Sequence, residues 1–286
     1  METAPRLATA DIPRMVDEQT SPARRRAAFF DVDRTLLRGS SLLHVARPMR
    51  RAGLLPTRAM LHSLVMQARF SLYGFDETQI REAVRGVGAL VEGIEAGRLR
   101  SFGHRNIPLH VLPRVYAEAN ARIQWHRGRG DLVFLVSSSP REFISELGNL
   151  LGVDGVAATD AELRNGRYTG RIIRFCHGEA KAAAVRDLAV AYDVDLTTSY
   201  AYGDSFVSDL AMLNEVGNPV CVNPDRALAA AAAQRGWPIE RFQNAGAFPA
   251  RRAISRLPRR VASASRPAVR RAHSNVRSKA RSLRDL

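Results

Sequence analysis

Two aspartates that flank a single valine follow a short hydrophobic segment near the start of the chain. Asp31 and Asp33 come directly after the apolar residues 27–30, which are typical of an interior parallel strand. Open α/β sheets bind ligands at the carboxyl ends of such strands. Because side chains alternate along a strand, we expect both carboxylates to begin on one face, where their repulsion favours a bound cation such as Mg²⁺. The alternative is simple turn chemistry, for which aspartate is also common.

A second apolar run, residues 132–136, ends in the hydroxyl residues Ser137, Ser138 and Ser139. A serine at the end of a strand can donate a hydrogen bond to a phosphate oxygen, as can the free N–H groups of a helix that follows. The alternative is that these serines cap the next helix, with Pro140 at its first position.

Lysine is rare in this chain, which contains Lys181 and Lys279 against forty-one arginines. A lysine that occurs within an alanine-rich helical segment despite this bias suggests a need for a compact ammonium group, which the planar guanidinium of arginine does not replace. Chance retention of a lysine on a solvated helix face is the alternative.

A third strand-like segment ends in Gly203-Asp204, and a further carboxylate, Asp209, follows five residues later. Gly203 allows the backbone to turn sharply or to approach a ligand closely. We expect Asp204 at the tip of the strand and Asp209 in the first turn of the next helix, so that both can face one cation. Asp209 could instead act only through its favourable interaction with the helix dipole.

In chain order, the Asp31-Val32-Asp33-Arg34-Thr35 segment, the strand ending at Ser137, Lys181 and the segment from Gly203 to Asp209 resemble the four motifs of the haloacid dehalogenase (HAD) superfamily. The resemblance covers roughly residues 26–240 and is most detailed for subfamily IB, the phosphoserine-phosphatase-like branch. It implies an α/β fold with a Rossmann-like parallel sheet core and an inserted α-helical cap domain.

The resemblance also implies a role for each motif residue. Asp31 would be the nucleophile that forms an aspartyl-phosphate, and Asp33 would be the general acid and base, with its backbone carbonyl on Mg²⁺. Lys181 would neutralise charge between nucleophile and phosphate. The implied catalytic residues are Asp31, Asp33 and Lys181; the phosphate-binding residues are Thr35, Ser137, Ser138 and Lys181; the metal-binding residues are Asp31, Asp33, Asp204 and Asp209.

These roles predict a Mg²⁺-dependent phosphatase that hydrolyses a small phosphomonoester. An acid at position 33 suits a leaving alkoxide that needs a proton, which favours a phosphatase or phosphotransferase over a dehalogenase. The segment Arg38–Leu42 lacks the glutamate that phosphoserine phosphatases use for the substrate amine, so L-phosphoserine is disfavoured. The alternatives are a phosphotransferase of the same fold, or a non-catalytic HAD-like binding protein that its basic tail tethers.

Composition, apolar spacing and the positions of proline and glycine together predict the domain organisation of the chain. We expect a disordered segment over residues 1–26, a core formed by residues 27–40 and 128–245, a helical cap over 41–127 and a basic tail over 246–286. Apolar spacing predicts cap helices over residues 41–51, 57–73, 77–93 and 109–127. Asn165-Gly166 predicts a tight hairpin. Four arginines of the cap could meet an anionic substrate or lie on solvated faces: Arg47, Arg50, Arg51 and Arg58.

The formal net charge of +15 is concentrated in the tail, where residues 251–286 hold eleven arginines, one lysine and one aspartate. Such a segment is attracted to an anionic membrane surface or to nucleic acid, or it is a solubilising tail without a partner. No apolar run is long enough for a transmembrane helix, and no signal-peptide pattern occurs. With Cys176 and Cys221 as the only cysteines, we expect reduced thiols and a cytoplasmic protein, with peripheral membrane attachment as an alternative. No protein partner is indicated.

Overall fold

The computed structural model describes residues 24–54, 84–86, 88–89, 91–246 and 248. The strands within these residues are β1 Ala27–Phe30, β2 Leu132–Pro140, β3 Gly155–Arg164, β4 Arg167–Arg174, β5 Tyr200–Gly203, β6 Asn218–Val222 and β7 Ile239–Glu240. The helices are α1 Ser41–Arg51, α2 Ala96–Asn106, α3 Ala117–Gly128, α4 Arg141–Leu151, α5 Glu179–Tyr192, α6 Phe206–Leu213 and α7 Arg226–Arg235. A π-helical turn, Ile107–Val111, and a 3-10 turn, Leu112–Arg114, follow α2.

The seven strands form one sheet in the order β4-β3-β2-β1-β5-β6-β7. All neighbouring pairs are parallel except β3 and β4, which form an antiparallel hairpin. The chain leaves β1 toward β2 on one side and later returns to its other side at β5. Connections that diverge from a central strand in this way open a crevice at the carboxyl ends of the two strands, where α/β proteins bind ligands. The predicted fold class is confirmed.

The central strand β1 is buried on both faces, as its continuous apolar run predicts. Ala28 and Phe30 face a core that α1, α2, α3 and α4 cover, whereas Ala27 and Phe29 face a second core under α5, α6 and α7. All four side chains are fully buried. This two-sided packing fixes the position of the residue that follows Phe30, namely Asp31.

The helical segment before β2 differs from the prediction in two places. The helix predicted over residues 109–127 is wrong, because the chain leaves the helical conformation at Val115 and α3 begins at Ala117. Tyr116 instead donates its N–H to the carbonyl of Leu36. Helix α2 was not predicted, since its two glycines and four basic residues obscure the apolar pattern. The predicted helix 41–51 is present as α1, whereas 57–73 and most of 77–93 lie outside the described residues.

Helix α3 packs on the sheet through His126, whose two ring nitrogens lie 2.9 Å from Asp131 Oδ2 and 2.9 Å from the Tyr202 hydroxyl. The boundary of the cap domain stays a prediction, but these contacts lead us to propose that the core resumes at α3 instead of at residue 128. The Asn165-Gly166 hairpin joins β3 to β4, and both residues have the positive φ of such a turn, +51° and +77°.

The two ends of the chain fall mostly outside the described residues. The prediction placed residues 24–26 in a disordered segment, but these residues contact the core. Arg25 donates its N–H to the carbonyl of Asp193, and Arg26 pairs with Asp131. Residues 1–23 and 249–286, which include the basic tail, lie outside the description. None of the described helices is long and apolar enough to cross a bilayer.

Candidate active site

The crevice at the carboxyl ends of β1 and β5 brings four predicted site residues together. Asp31 follows β1, Asp204 follows β5, and Lys181 and Asp209 reach the same point from α5 and α6. The side chains are buried, with at most 5% of each residue exposed. Residues separated by up to 178 positions therefore form one polar cluster at the place where this sheet topology opens.

Lys181 connects two of the carboxylates. Its Nζ donates to Asp31 Oδ1 at 2.5 Å and to Asp209 Oδ1 at 2.6 Å, and the residue is fully buried. Burial by itself lowers the pKa of this ammonium, but Asp209 and Asp31 raise the pKa above its ordinary value, so that Lys181 stays charged. A buried cation with two carboxylate partners is a fixed source of positive charge for an incoming anion.

Asp209 is anchored by the backbone as well as by Lys181. Its Oδ2 accepts the N–H groups of Asp204 at 2.9 Å and Ser205 at 3.0 Å. Burial raises the pKa of Asp209, but Lys181 and these N–H groups lower the pKa by a larger amount, so that it lies below its ordinary value. Gly203 makes room for this side chain: a Cβ at Gly203 would lie 2.6 Å from Asp209 Cβ. The close approach that Gly203 allows here is that of the Asp209 side chain, whereas the sequence suggested that of a ligand.

The carboxylates of Asp31, Asp204 and Asp209 offer oxygen atoms that all lie within 4.8 Å of one another. Burial and the charge of Asp209 raise the pKa of Asp31 to about 7, and the same two causes raise that of Asp204 well above its ordinary value. This mutual repulsion is what a divalent cation would relieve. The donor set, three carboxylates, is the kind that Mg²⁺ binds. The residues present therefore fit the implied ion.

Arg34 reaches the same cluster, although it was not among the predicted site residues. Its Nη2 lies 2.6 Å from Asp204 Oδ2. The backbone of Arg34 has φ +67°, a region that glycine adopts without strain and other residues rarely adopt. The sequence gives no signal for this contact, and only the fold places the guanidinium on Asp204.

The Asp33 carboxylate is not one of the three whose oxygen atoms lie within 4.8 Å of one another, and it has hydrogen-bond partners of its own. Its Oδ1 accepts the N–H of Ser41 at 2.8 Å, and its Oδ2 accepts the hydroxyls of Ser40 at 3.2 Å and Ser139 at 3.4 Å. Its charge still acts on Asp31, where it contributes to the raised pKa. A metal bond from its backbone carbonyl stays a prediction. Ser40 and Ser41 were missed, since local sequence gives no signal for such contacts.

The predicted phosphate-binding residues Thr35, Ser137 and Ser138 differ in their burial and in their hydrogen-bond partners. Thr35 is fully buried and its hydroxyl lies 3.4 Å from Asp204 Oδ1, which places it beside a carboxylate of the cluster. Ser137 is buried and its hydroxyl accepts the N–H of Ser139 at 3.1 Å. Ser138 is partly exposed, and its backbone carbonyl accepts the hydroxyl of Thr159. Their assignment to phosphate binding remains a prediction.

Comparison with known proteins agrees with this geometry. The family model described as haloacid dehalogenase-like hydrolase matches residues 28–214. A protein of Mycobacterium tuberculosis H37Rv named as a probable phosphatase is 38% identical over 223 residues, covering 78% of this chain and 77% of the relative. Phosphoserine phosphatase SerB1 of the same strain is 34% identical over 219 residues, covering 76% and 71%. The chain therefore belongs to the haloacid dehalogenase-like hydrolases.

Solved structures share the fold of this chain. A Bordetella pertussis Tohama I protein of unknown function superimposes with a TM-score of 0.65 at 26% identity, covering 76% of this chain and 98% of that one. A phosphoserine phosphatase with a phospho-aspartyl intermediate analogue has the same fold, with a TM-score of 0.55 at 17% identity, covering 82% of this chain and all of the other. The resemblance to the phosphoserine-phosphatase-like branch is confirmed, and with it the predicted enzyme class, a phosphatase.

Proposed function

We propose that this phosphatase is Mg²⁺-dependent and hydrolyses a small phosphomonoester through an aspartyl-phosphate on Asp31. The observation that carries the proposal is the contact of the Lys181 ammonium with the Asp31 carboxylate at the opening of the crevice. Phosphoryl transfer depends mainly on positioning and on neutralisation of the phosphate charge. The Lys181 ammonium serves both needs, because it holds the nucleophile and offsets the repulsion between a carboxylate and a phosphate dianion.

In the proposed reaction, an oxygen of Asp31 attacks phosphorus while the bond from phosphorus to the ester oxygen breaks. Asp33, in its protonated form, gives its proton to the departing alkoxide. A water molecule then attacks the phosphorus of the aspartyl-phosphate, the Asp33 carboxylate takes up a proton from that water, and inorganic phosphate leaves with Asp31 regenerated. The hydroxyls of Ser40 and Ser139 hold the Asp33 carboxylate in place for both proton transfers.

Asp31, Asp204 and Asp209 are the residues that would hold Mg²⁺ in this proposal. The bound ion would supply Lewis-acid stabilisation of charge on the phosphoryl oxygens. The Arg34 guanidinium adds a second fixed positive charge, next to Asp204. Although some relatives are named phosphoserine phosphatases, the segment Arg38–Leu42 of this chain contains no acid for a substrate amine, so we propose a phosphate ester other than L-phosphoserine.

The test is phosphate release from p-nitrophenyl phosphate by the full chain, with Mg²⁺ and with EDTA. We expect activity that EDTA abolishes, and no turnover in Asp31→Asn. Asp187→Asn is the matched control, since Asp187 is an exposed carboxylate on α5, the helix that carries Lys181. Acid quenching followed by peptide mass spectrometry should find a phosphoryl group on the peptide that contains Asp31. Undiminished turnover in Asp31→Asn would refute the nucleophile, and transfer of phosphate mainly to an added alcohol would favour a phosphotransferase.

A further inference from the structure

An open groove with a strongly basic lining lies between α1 and α2. Its volume is about 590 Å³, within the usual range for small-molecule sites. Five of its lining side chains are basic, and Pro48 and Ala52 contribute apolar surface. The basic residues are His44, Arg47, Arg51, Arg105 and His110. None of the lining residues in the described part of the chain is acidic, so the groove favours a ligand with negative charge and an apolar body.

Helix α1 connects the groove to the proposed active site, because it lines the groove and its first residue contacts Asp33. Ser41, the first residue of α1, donates its N–H to Asp33 Oδ1 at 2.8 Å, and its hydroxyl lies 2.8 Å from that of Ser139. Arg47 and Arg51 follow on α1, one turn apart on one side of the helix. With a rise of 1.5 Å per residue, they lie about 9 and about 15 Å along the helix from Ser41. A ligand that extends from Ser41 to one of these two arginines would span roughly these distances.

Within the described part of the chain, the arginines of the groove have no carboxylate partner. Among the described residues, Arg47, Arg51 and Arg105 have no carboxylate within ion-pairing distance, whereas Arg122 on α3 pairs with Glu240. Three guanidinium groups around one groove repel each other, and an anion placed between them would relieve that repulsion. Arg50 also lies on α1 but does not line the groove, so the two sides of the helix differ in this respect.

We infer that the groove binds a second anionic group of the substrate. The enzyme then acts on phosphomonoesters that carry a further phosphate or carboxylate, separated from the reacting phosphate by roughly the 9 to 15 Å that α1 puts between Ser41 and its two groove arginines. The segment that joins the two anionic groups is apolar and lies along Pro48 and Ala52. This inference rests on the proposed function, because it names a substrate class for the same site. It also agrees with the absence of an acid within the segment Arg38–Leu42, since a basic groove repels the ammonium group of an amino-acid phosphate.

The experiment compares alkanediol bisphosphates of increasing chain length with the corresponding alkyl monophosphates. We expect the wild-type ratio of kcat/KM for bisphosphate over monophosphate to exceed one, to be largest at intermediate length and to fall as salt concentration rises. The variant Arg47→Gln/Arg51→Gln should lower that ratio on the order of tenfold, mainly through KM. Arg50→Gln lies on the same helix outside the groove and removes one positive charge, so it is the control for the single variants Arg47→Gln and Arg51→Gln, and it should keep the wild-type ratio.

A wild-type ratio at or below one, or an unchanged ratio in the double variant, would overturn the inference while leaving the phosphatase itself intact. If wild type hydrolyses neither ester in the presence of Mg²⁺, the proposed function fails instead. In that case calorimetric titration of an alkanediol bisphosphate still tests whether the groove binds an anionic group. Weaker binding to the Arg47→Gln/Arg51→Gln variant than to Arg50→Gln supports the inference, and equal or absent binding to both variants overturns the inference.

Discussion

Replacing the proposed nucleophile should abolish activity and at the same time stabilise the metal-free protein. A carboxyl whose pKa rises from 3.8 to about 7 costs the folded state about 4 kcal/mol at pH 8, where it is ionised in both states. This cost is already net of the favourable contact with Lys181, so the neutral amide of the Asp31→Asn variant would avoid most of it. Lys181 keeps Asp209 as a partner. We therefore expect a net gain of a few kcal/mol, at most about 4 kcal/mol.

Urea unfolding in EDTA measures this gain, and pH tests its origin. Because the pKa of Asp31 is raised in the folded state, the destabilisation of wild type grows as pH rises from about 4 to about 7 and is complete above that. The advantage of Asp31→Asn should therefore shrink between pH 8 and pH 5. Asp33→Asn serves as the control and should not stabilise, since it disturbs a carboxylate that accepts the N–H of Ser41. A variant less stable than wild type at pH 8, or a pH-independent gain, would refute the reasoning.

Three further substitutions test other parts of the cluster and its support. Lys181→Met should lower the free energy of unfolding by about 3 kcal/mol, because it leaves two buried carboxylates without their cation. The same variant should lower kcat at least about a hundredfold, and a near-normal kcat would contradict the role assigned to Lys181. Gly203→Ala places a methyl group against Asp209 and should cost about 1–3 kcal/mol with a higher Mg²⁺ concentration for half-activation, measured by urea unfolding and metal titration. Burial lowers the pKa of His126, so folding loses stability as pH falls below about 6.5, where the unfolded chain takes up the proton. His126→Gln should lose less stability than wild type between pH 7 and pH 5, and equal losses would exclude His126 as the cause.

Part of this site could be predicted because local sequence carries its own physical signal. A continuous apolar run fixes β1 as a strand buried on both faces, and Asp31 must then stand at the end of that strand. Lys181 stood out because the chain uses arginine almost everywhere else, and its burial between two carboxylates agrees with a need for a compact ammonium. The hairpin at Asn165-Gly166 followed from the positive φ that such a turn requires.

Other features depended on contacts between distant parts of the chain. The helix predicted over residues 109–127 failed because Tyr116 pairs with Leu36 instead of continuing a helix, a contact that periodicity does not encode. Helix α2 was missed because Phe102, which packs against Phe143 with ring centroids 6.0 Å apart, stabilises a segment with weak helical propensity.

By itself, the sequence determined which residue types are available for chemistry and their order along the chain: carboxylates at strand ends, one lysine in a helix, and serines after β2. Only the tertiary structure decided their partners. It gave Asp33 and Asp31 different hydrogen-bond partners, placed Arg34 on Asp204, and put Arg47 in the basic groove while Arg50 lies outside it. The physical reason is that side-chain partners depend on how the faces of helices and strands pack together, and this packing is set by burial across the whole domain.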